Sequence, residues 1–253
     1  MNSVTIAGIV FACTFGGALI GMYLRRRLPE SHLNADSKDV VKMGTGLLAT
    51  LAALVLGLLI SSAKSSYDAQ RAGIQQLSTN LILLDRSLKL YGPETQECRE
   101  LLQHTIRLVL DQRGAGNAFK SAGLDSPEIT ESGMKLVSAL QNLSSKTDSQ
   151  KAIQSQALQV ASDLARTRWT LMQGDEGTIP GPFLVVLIFW LTALFVVFGL
   201  FAPGNATVVS SLLICAISLA GALFLIVELD RPFHGMIQIS SKPLSDALGQ
   251  LGK

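Results

Sequence analysis

The sequence predicts an all-α membrane protein: four transmembrane helices, with a helical extramembrane layer inserted between spans two and three. Three observations carry this. Four apolar runs, at about residues 4–24, 43–62, 183–202 and 208–227, hold no Asp, Glu, Lys, Arg or His in their interiors. Each is about 20 residues long, matching a hydrocarbon core of roughly 30 Å, and helices of soluble domains seldom stay uncharged so long. The second run passes into a polar stretch with helical spacing and no proline before Pro93. The rest of the segment between spans two and three has helical starts and stops, and no stretch alternates polar and apolar residues as a strand would.

Span one has the wrong charge order for a cleaved leader. MNSVT precedes it and Arg25, Arg26 and Arg27 follow it, whereas a signal peptide starts basic. It reads as a retained span. Five Lys/Arg lie between residues 25 and 42, three of them abutting span one, and the turn APGNAT between spans three and four carries none. Positive residues in short loops mark the cytoplasmic side. The N-terminus, the long segment after span two and the C-terminus are therefore expected to face outward, in a multi-pass protein of the cell membrane.

Span two continues as SSAKSSYDAQRAGIQQLSTNLILLDRSLKL, with Gly73 as its isolated glycine. Tyr67, Ile74, Leu77, Leu81, Leu84 and Leu88 recur three and four apart, with Gln70 as the polar member. That coiled-coil-like spacing keeps one seam against partner helices. A helix from Thr45 to Leu88 would be roughly 65 Å long at 1.5 Å per residue. A second stripe, Thr45, Ala49, Ala53, Gly57, Ser61 and Ser65, places small side chains four apart. Such a ridge lets another helix approach closely in lipid, or it lines a pore, where small and hydroxyl side chains suffice. Both uses remain open. A similar stripe in span four runs Ser211, Cys215, Ser218 and Ala222.

The soluble elements follow in order. Pro93 opens PETQECRELLQHTIRLVLDQR, acidic residues crowd its start, and Arg113-Gly114 closes it, as helix starts and stops require. Its expected apolar face is Leu101, Leu102, Thr105, Leu108 and Val109. RGAGNAFKSAGLDSPE reads as a loop or weak helix. Ser126-Pro127-Glu128 caps the next helix. A final helix from about Asp148 to Met172 offers Ile153, Ala157, Val160, Leu164 and Leu171; QGDEGTIPGP breaks the chain before span three, above which this helix is expected to continue upward. Trp169 suits an interfacial anchor. In the tail, Ser241-Lys242-Pro243 starts a short helix with Leu244, Leu248 and Leu251 on one side, which needs a surface to dock on. The chain thus divides into a transmembrane hairpin (1–63), a helical soluble segment (64–180), a second hairpin (181–228) and a tail (229–253).

Composition excludes several functions. Residues 64–180 hold 13 basic and 13 acidic side chains, so no basic stripe exists for nucleic acid. His32, His104 and His234 sit in separate regions, and no paired-ligand or nucleophile motif surrounds them. No enzyme, metal site or cofactor is expected. Cys13, Cys98 and Cys215 read as packing residues rather than a disulfide framework. The uncharged spans argue against a coupled transporter, which holds its coupling charge at mid-membrane. A passive pore stays open. Glu228, Asp230 and Arg231 form the sharpest charge cluster at a membrane boundary. Oligomer symmetry would make them a charged ring at a pore mouth, and the plainer use is capping the span with Arg231 paired to an acid.

Two segments, GTGLLATLAALVLGLLISSAKSSYDAQRAG and ELDRPFHGMIQISSKPLSDAL, resemble the hallmark segments of the bestrophin-like domain family of membrane proteins. Leu229, Asp230, Arg231, Pro232, Phe233 and Gly235 carry the tail motif, continued by Ile237, Ser240, Pro243, Leu244, Ala247 and Leu248. The resemblance covers most of the chain. It implies a distant relation to bestrophins, which are pentameric anion channels. Span two has no phenylalanine-rich neck and the chain has no evident acidic calcium clasp, so calcium gating is not implied. The expected function is a homo-oligomeric, channel-like protein in the lipid bilayer, passing small inorganic anions passively. The alternative is a non-conducting scaffold or sensor whose soluble layer binds a partner.

Overall fold

The computed structural model describes residues 2–29, 35–111, 124, 126–173, 179–231, 233 and 236–251, without the side chains of 35–37. Eight α-helices follow in order among them: α1 (Ser3–Arg25), α2 (Ala35–Tyr91), α3 (Gln96–Asp111), α4 (Pro127–Gln141), α5 (Asp148–Gln173), α6 (Gly181–Phe201), α7 (Ala206–Leu229) and α8 (Lys242–Gln250). A 3-10 turn, Pro93–Thr95, precedes α3. No β-strand is present among the described residues. Helices α1, α2, α6 and α7 are long and apolar enough to cross a membrane. The chain forms two compact units, Met1–Ser65 with Gly177–Asp230, and Ser66–Glu176 with Arg231–Lys253.

In the membrane unit, α1 packs most closely on α6. Their backbones meet at glycines. A Cβ on Gly17 would lie 3.1 Å from the Thr192 carbonyl oxygen, one on Gly21 2.8 Å from the Leu200 nitrogen, and one on Gly199 2.9 Å from the Ala18 carbonyl carbon. Close approach of this kind supplies dispersion contact where lipid removes any hydrophobic drive between helices. Ile6 and Val10 of α1, Leu187 and Leu191 of α6, and Leu223 and Ile226 of α7 fill the core. From α2, Ala52, Leu59 and Ala63 join it. Arg25, in the last turn of α1, donates to the carbonyl of Ala202 at the end of α6. That bond ties the arginine cluster and the α6–α7 turn to one end of the unit.

Helix α2 begins at Ala35 and runs 57 residues without a break, roughly 85 Å. Lys38, Asp39 and Lys42 thus belong to its first turns rather than to a loop. It ends at Gly92, whose φ of 133° only glycine adopts without strain. The Thr95 hydroxyl donates to the Leu88 carbonyl at 2.7 Å, taking up an orphan acceptor of the last turn.

The expected continuation of α5 into span three does not occur. Helix α5 ends at Gln173 and α6 starts at Gly181 behind Pro180. Pro182 follows in the first turn, where a missing N–H costs nothing, and the glycines and prolines of this stretch cannot sustain one helix.

In the soluble unit, Ile74, Leu77, Leu81, Leu84 and Leu88 are all buried in one core, as the seam predicts. Gln70 is buried with them, and its Oε1 has no hydrogen-bond partner. On α3 the inward residues are Cys98, Leu102 and Ile106, so Leu101 and Leu108 of the expected face are only half-buried. Asp85 of α2 accepts both Arg99 Nε at 2.8 Å and Arg99 Nη2 at 3.3 Å, a fork that locks α3 against α2. The hydrogen bond from Arg99 to Asp85 raises the guanidinium pKa above its usual value. Gln154 Nε2 donates to the carbonyls of Leu140 at 2.8 Å and Leu143 at 3.2 Å, closing the end of α4 on α5. The tail docks here: Phe233, Ile239, Leu244 and Leu251 enter this core.

Candidate functional site

The small-residue ridge of α2 is turned out of its own chain from Ala53 onward, while Ala49 packs against the membrane-unit core. Ala53, Gly57, Ser61 and Ser65 are exposed, while Thr45 and Ala49 are half-buried. No atom lies within 4 Å of where a Cβ on Gly57 would sit. Within the chain the ridge is therefore not a close-packing surface; α2 uses the stripe of Ala52, Leu59 and Ala63 instead. The whole span is weakly covered. Only 11% of its apolar window is buried, against 33%, 28% and 39% for α1, α6 and α7. Such a helix either faces lipid on most sides or is completed by other chains.

The ridge is polar in composition and mild in chemistry. Thr45 Oγ1 donates to the Val41 carbonyl at 2.8 Å, as a helical hydroxyl in an apolar setting does. On α7, Ser211, Cys215 and Ser218 are also exposed, while Ala216, Ala220 and Leu223 face inward. Ser218 Oγ likewise returns to its own helix, at 2.9 Å from the Ile214 oxygen.

The boundary charges separate into two kinds. Glu228 is 1% exposed and Asp230 5%. Asp230 Oδ2 accepts the Ile179 N–H at 3.3 Å, fastening the chain just before α6 to the end of α7. Both acids, offered by the sequence either as pore-mouth charges or as caps of the span, are thus buried within their own chain. Arg231 is exposed. Of the tail motif, Leu229 packs in the membrane-unit core and Phe233 in the soluble core, while Pro232 and Gly235 lie outside the described residues. No cluster of three His, Cys, Asp or Glu side chains that could hold a metal exists among the described residues.

The glycine contacts of α1 and α6 escaped the sequence reading. Gly17 and Gly21 are four apart, the same spacing as the α2 ridge, and that spacing is the signal they carry in the sequence.

Comparison with known proteins gives two matches. The sequence model of the bestrophin-like domain matches residues 12–244. A crystal structure of a bacterial bestrophin homologue from Klebsiella pneumoniae, carrying a point mutation, superposes with a TM-score of 0.67 at 14% identity, over 96% of both chains. No curated protein matches the sequence.

Proposed function

Because the chain belongs to the bestrophin-like domain family, we propose that it assembles as a homo-oligomeric membrane channel passing small inorganic anions, with α2 beside the conduction path. One observation carries the reading: the Ala53–Gly57–Ser61–Ser65 face of α2 is turned out of its own chain. Several copies around an axis would bring these small faces together. Their lining would be narrow, uncharged and partly hydroxylated, which suits a passive pore that gates by wetting rather than a pump. This reading places exposed Arg231 at an entrance, since a symmetric ring of cations raises local anion concentration.

The test is anion flux from liposomes holding the purified protein, with chloride as the probe. Flux above that of empty liposomes, reduced by Gly57→Phe at unchanged oligomer size, is the expected result. Wild-type liposomes that leak no faster than empty ones under varied pH and voltage would remove the channel reading.

The second reading, a non-conducting scaffold or sensor, is favoured by the separate core of the soluble unit. A layer that folds around its own core can bind a partner without serving a pore. It predicts neighbouring helices filling the α2 ridge, with no axial water path beside Ala49, Ala53 and Gly57.

A further inference from the structure

Neither reading of the function uses the basic end of α1. Residues 1–29 and 181–227 supply α1, α6, most of α7 and the turn between α6 and α7. Arg25, Arg26 and Arg27 are the only charged side chains in these two stretches. The backbone holds all three in helical register. The N–H of Arg26 bonds to the Tyr23 carbonyl at 3.1 Å, and those of Arg27 and Leu28 bond to the Leu24 carbonyl at 2.9 and 3.0 Å.

That register separates the three arginines. At about 100° per residue, Arg25 falls on the side of Gly17 and Gly21, which meets α6, and there it donates to the Ala202 carbonyl. Arg26 and Arg27 fall on the opposite side and are exposed. One turn and two turns below them on the same side, Tyr23, Leu19 and Ile20 are 59%, 45% and 61% exposed. The Arg27 guanidinium carbon stands 5.4 Å from the centre of the Tyr23 ring, a cation held over an aromatic face. The outer face of α1 thus reads, from its end inward, as two cations, an amphipathic ring and an aliphatic pair. Cations at a helix C-terminus also favour its last carbonyls and set the orientation of a span. Arg25 already serves the first use, and neither use places an arginine over a ring above an open apolar surface.

We propose that this outer face of α1 binds an anionic phospholipid of the surrounding bilayer, with its phosphate on Arg26 and Arg27 and its acyl chains along Leu19 and Ile20. The order of groups down the helix matches the order of groups in such a lipid. Tyr23 sits where interfacial aromatics sit, between headgroup and chains. Guanidinium offers a phosphate two parallel donors. A zwitterionic lipid brings its own cation to the same place and opposes the two arginines. A free inorganic anion meets the cations and leaves the apolar face unused. The site asks only that α1 cross a bilayer with this face toward lipid, so it is independent of conduction.

The experiment uses the full-length protein in phosphatidylcholine nanodiscs. Two photoactivatable probes carry the same diazirine acyl chain, one on phosphatidylglycerol and one on phosphatidylcholine, and adducts are mapped by peptide mass spectrometry. An arginine near an anionic lipid surface is worth about fivefold in binding, so the pair predicts a preference of roughly tenfold or more. The expected result is that preference for the phosphatidylglycerol probe on the α1 segment around Leu19 and Tyr23, competed by unlabelled phosphatidylglycerol and unaffected by inorganic phosphate. The double variant Arg26→Gln, Arg27→Gln should label equally with both probes, while its thermal midpoint in pure phosphatidylcholine stays at that of the parent, because both side chains are exposed. Equal labelling of α1 by the two probes in the unmodified protein would overturn the proposal without recourse to any variant. Adducts absent from α1 would overturn it too, since this face would then be covered by another copy of the chain. Displacement by inorganic phosphate would make the site one for free anions and reject the lipid, and a preference kept in the double variant would remove the two arginines from it.

Discussion

At the residue scale, a turn glycine, a forked ion pair and a buried thiol shape the soluble unit by means that differ in kind. Gly92 ends α2 because its φ of 133° is open to glycine alone. Gly92→Ala should cost about 1–3 kcal/mol, the range for a non-glycine residue forced into such a region, read as a lower thermal midpoint of the purified protein; an unchanged midpoint would mean that the turn tolerates another backbone path. Asp85 and Arg99 are a forked pair with side chains only 7% and 17% exposed. Removing one partner strands the other, so Asp85→Ala should destabilise by about 3 kcal/mol. The raised pKa of Arg99 means that its contribution is complete below the ordinary arginine range and fades only above it, so the pair does not weaken between pH 6 and 9 through this group. Cys98 is 1% exposed and its thiol is pushed up in pKa, first by burial and then by the charge of Glu97. It should resist thiol reagents at neutral pH until the soluble core opens, and labelling of Cys98 at the rate of an exposed cysteine in the folded protein would contradict the burial.

At the element scale, the two halves of α2 obey different rules. In water, hydrophobic spacing reports the core directly, so the seam of Ile74, Leu77, Leu81, Leu84 and Leu88 is legible in the sequence. In lipid, every face of a span is apolar, and spacing cannot say which face meets protein. The α2 ridge and the glycines of α1 look alike as sequence. Only the first is exposed in the chain, and only the second brings two backbones together. Gly21→Leu should therefore unfold or aggregate the membrane unit, because the added side chain would meet the Val196 carbonyl and the Leu200 nitrogen. Gly57→Leu should leave the subunit folded and act on assembly or flux alone. Size-exclusion profiles and thermal midpoints in detergent separate the two; a Gly21→Leu protein as stable as the parent would refute the close contact. The boundary acids show the same limit. Glu228 and Asp230 read as surface charges from their place after an apolar run, and the packing of α7 that encloses them has no signature in local sequence.

At the scale of the whole molecule, four spans, the uninterrupted α2 and the helical insert were legible because length, charge and periodicity specify them. The break between α5 and α6 was marked by Pro180 and Pro182, and the docking of the tail through Phe233 and Leu244 was not, since a short amphipathic helix fits lipid or protein equally well. The sidedness expected from Arg25, Arg26 and Arg27 beside span one can be tested directly. A cysteine at Asp39, with the native cysteines replaced, should be shielded from an impermeant reagent in intact cells, and one at Ser149 should react. The opposite pattern would invert the assignment. The central claim is that the exposed face of α2 borders a conduction path. Its most direct test places a single cysteine at Gly57 or at Leu58 in liposome-reconstituted protein and measures chloride flux before and after a charged methanethiosulfonate. The account predicts flux in both, altered by the reagent at position 57 and untouched at position 58, where the side chain is exposed but lies about 100° around the helix. Equal responses at both positions, or flux that no reagent changes at 57, would contradict it.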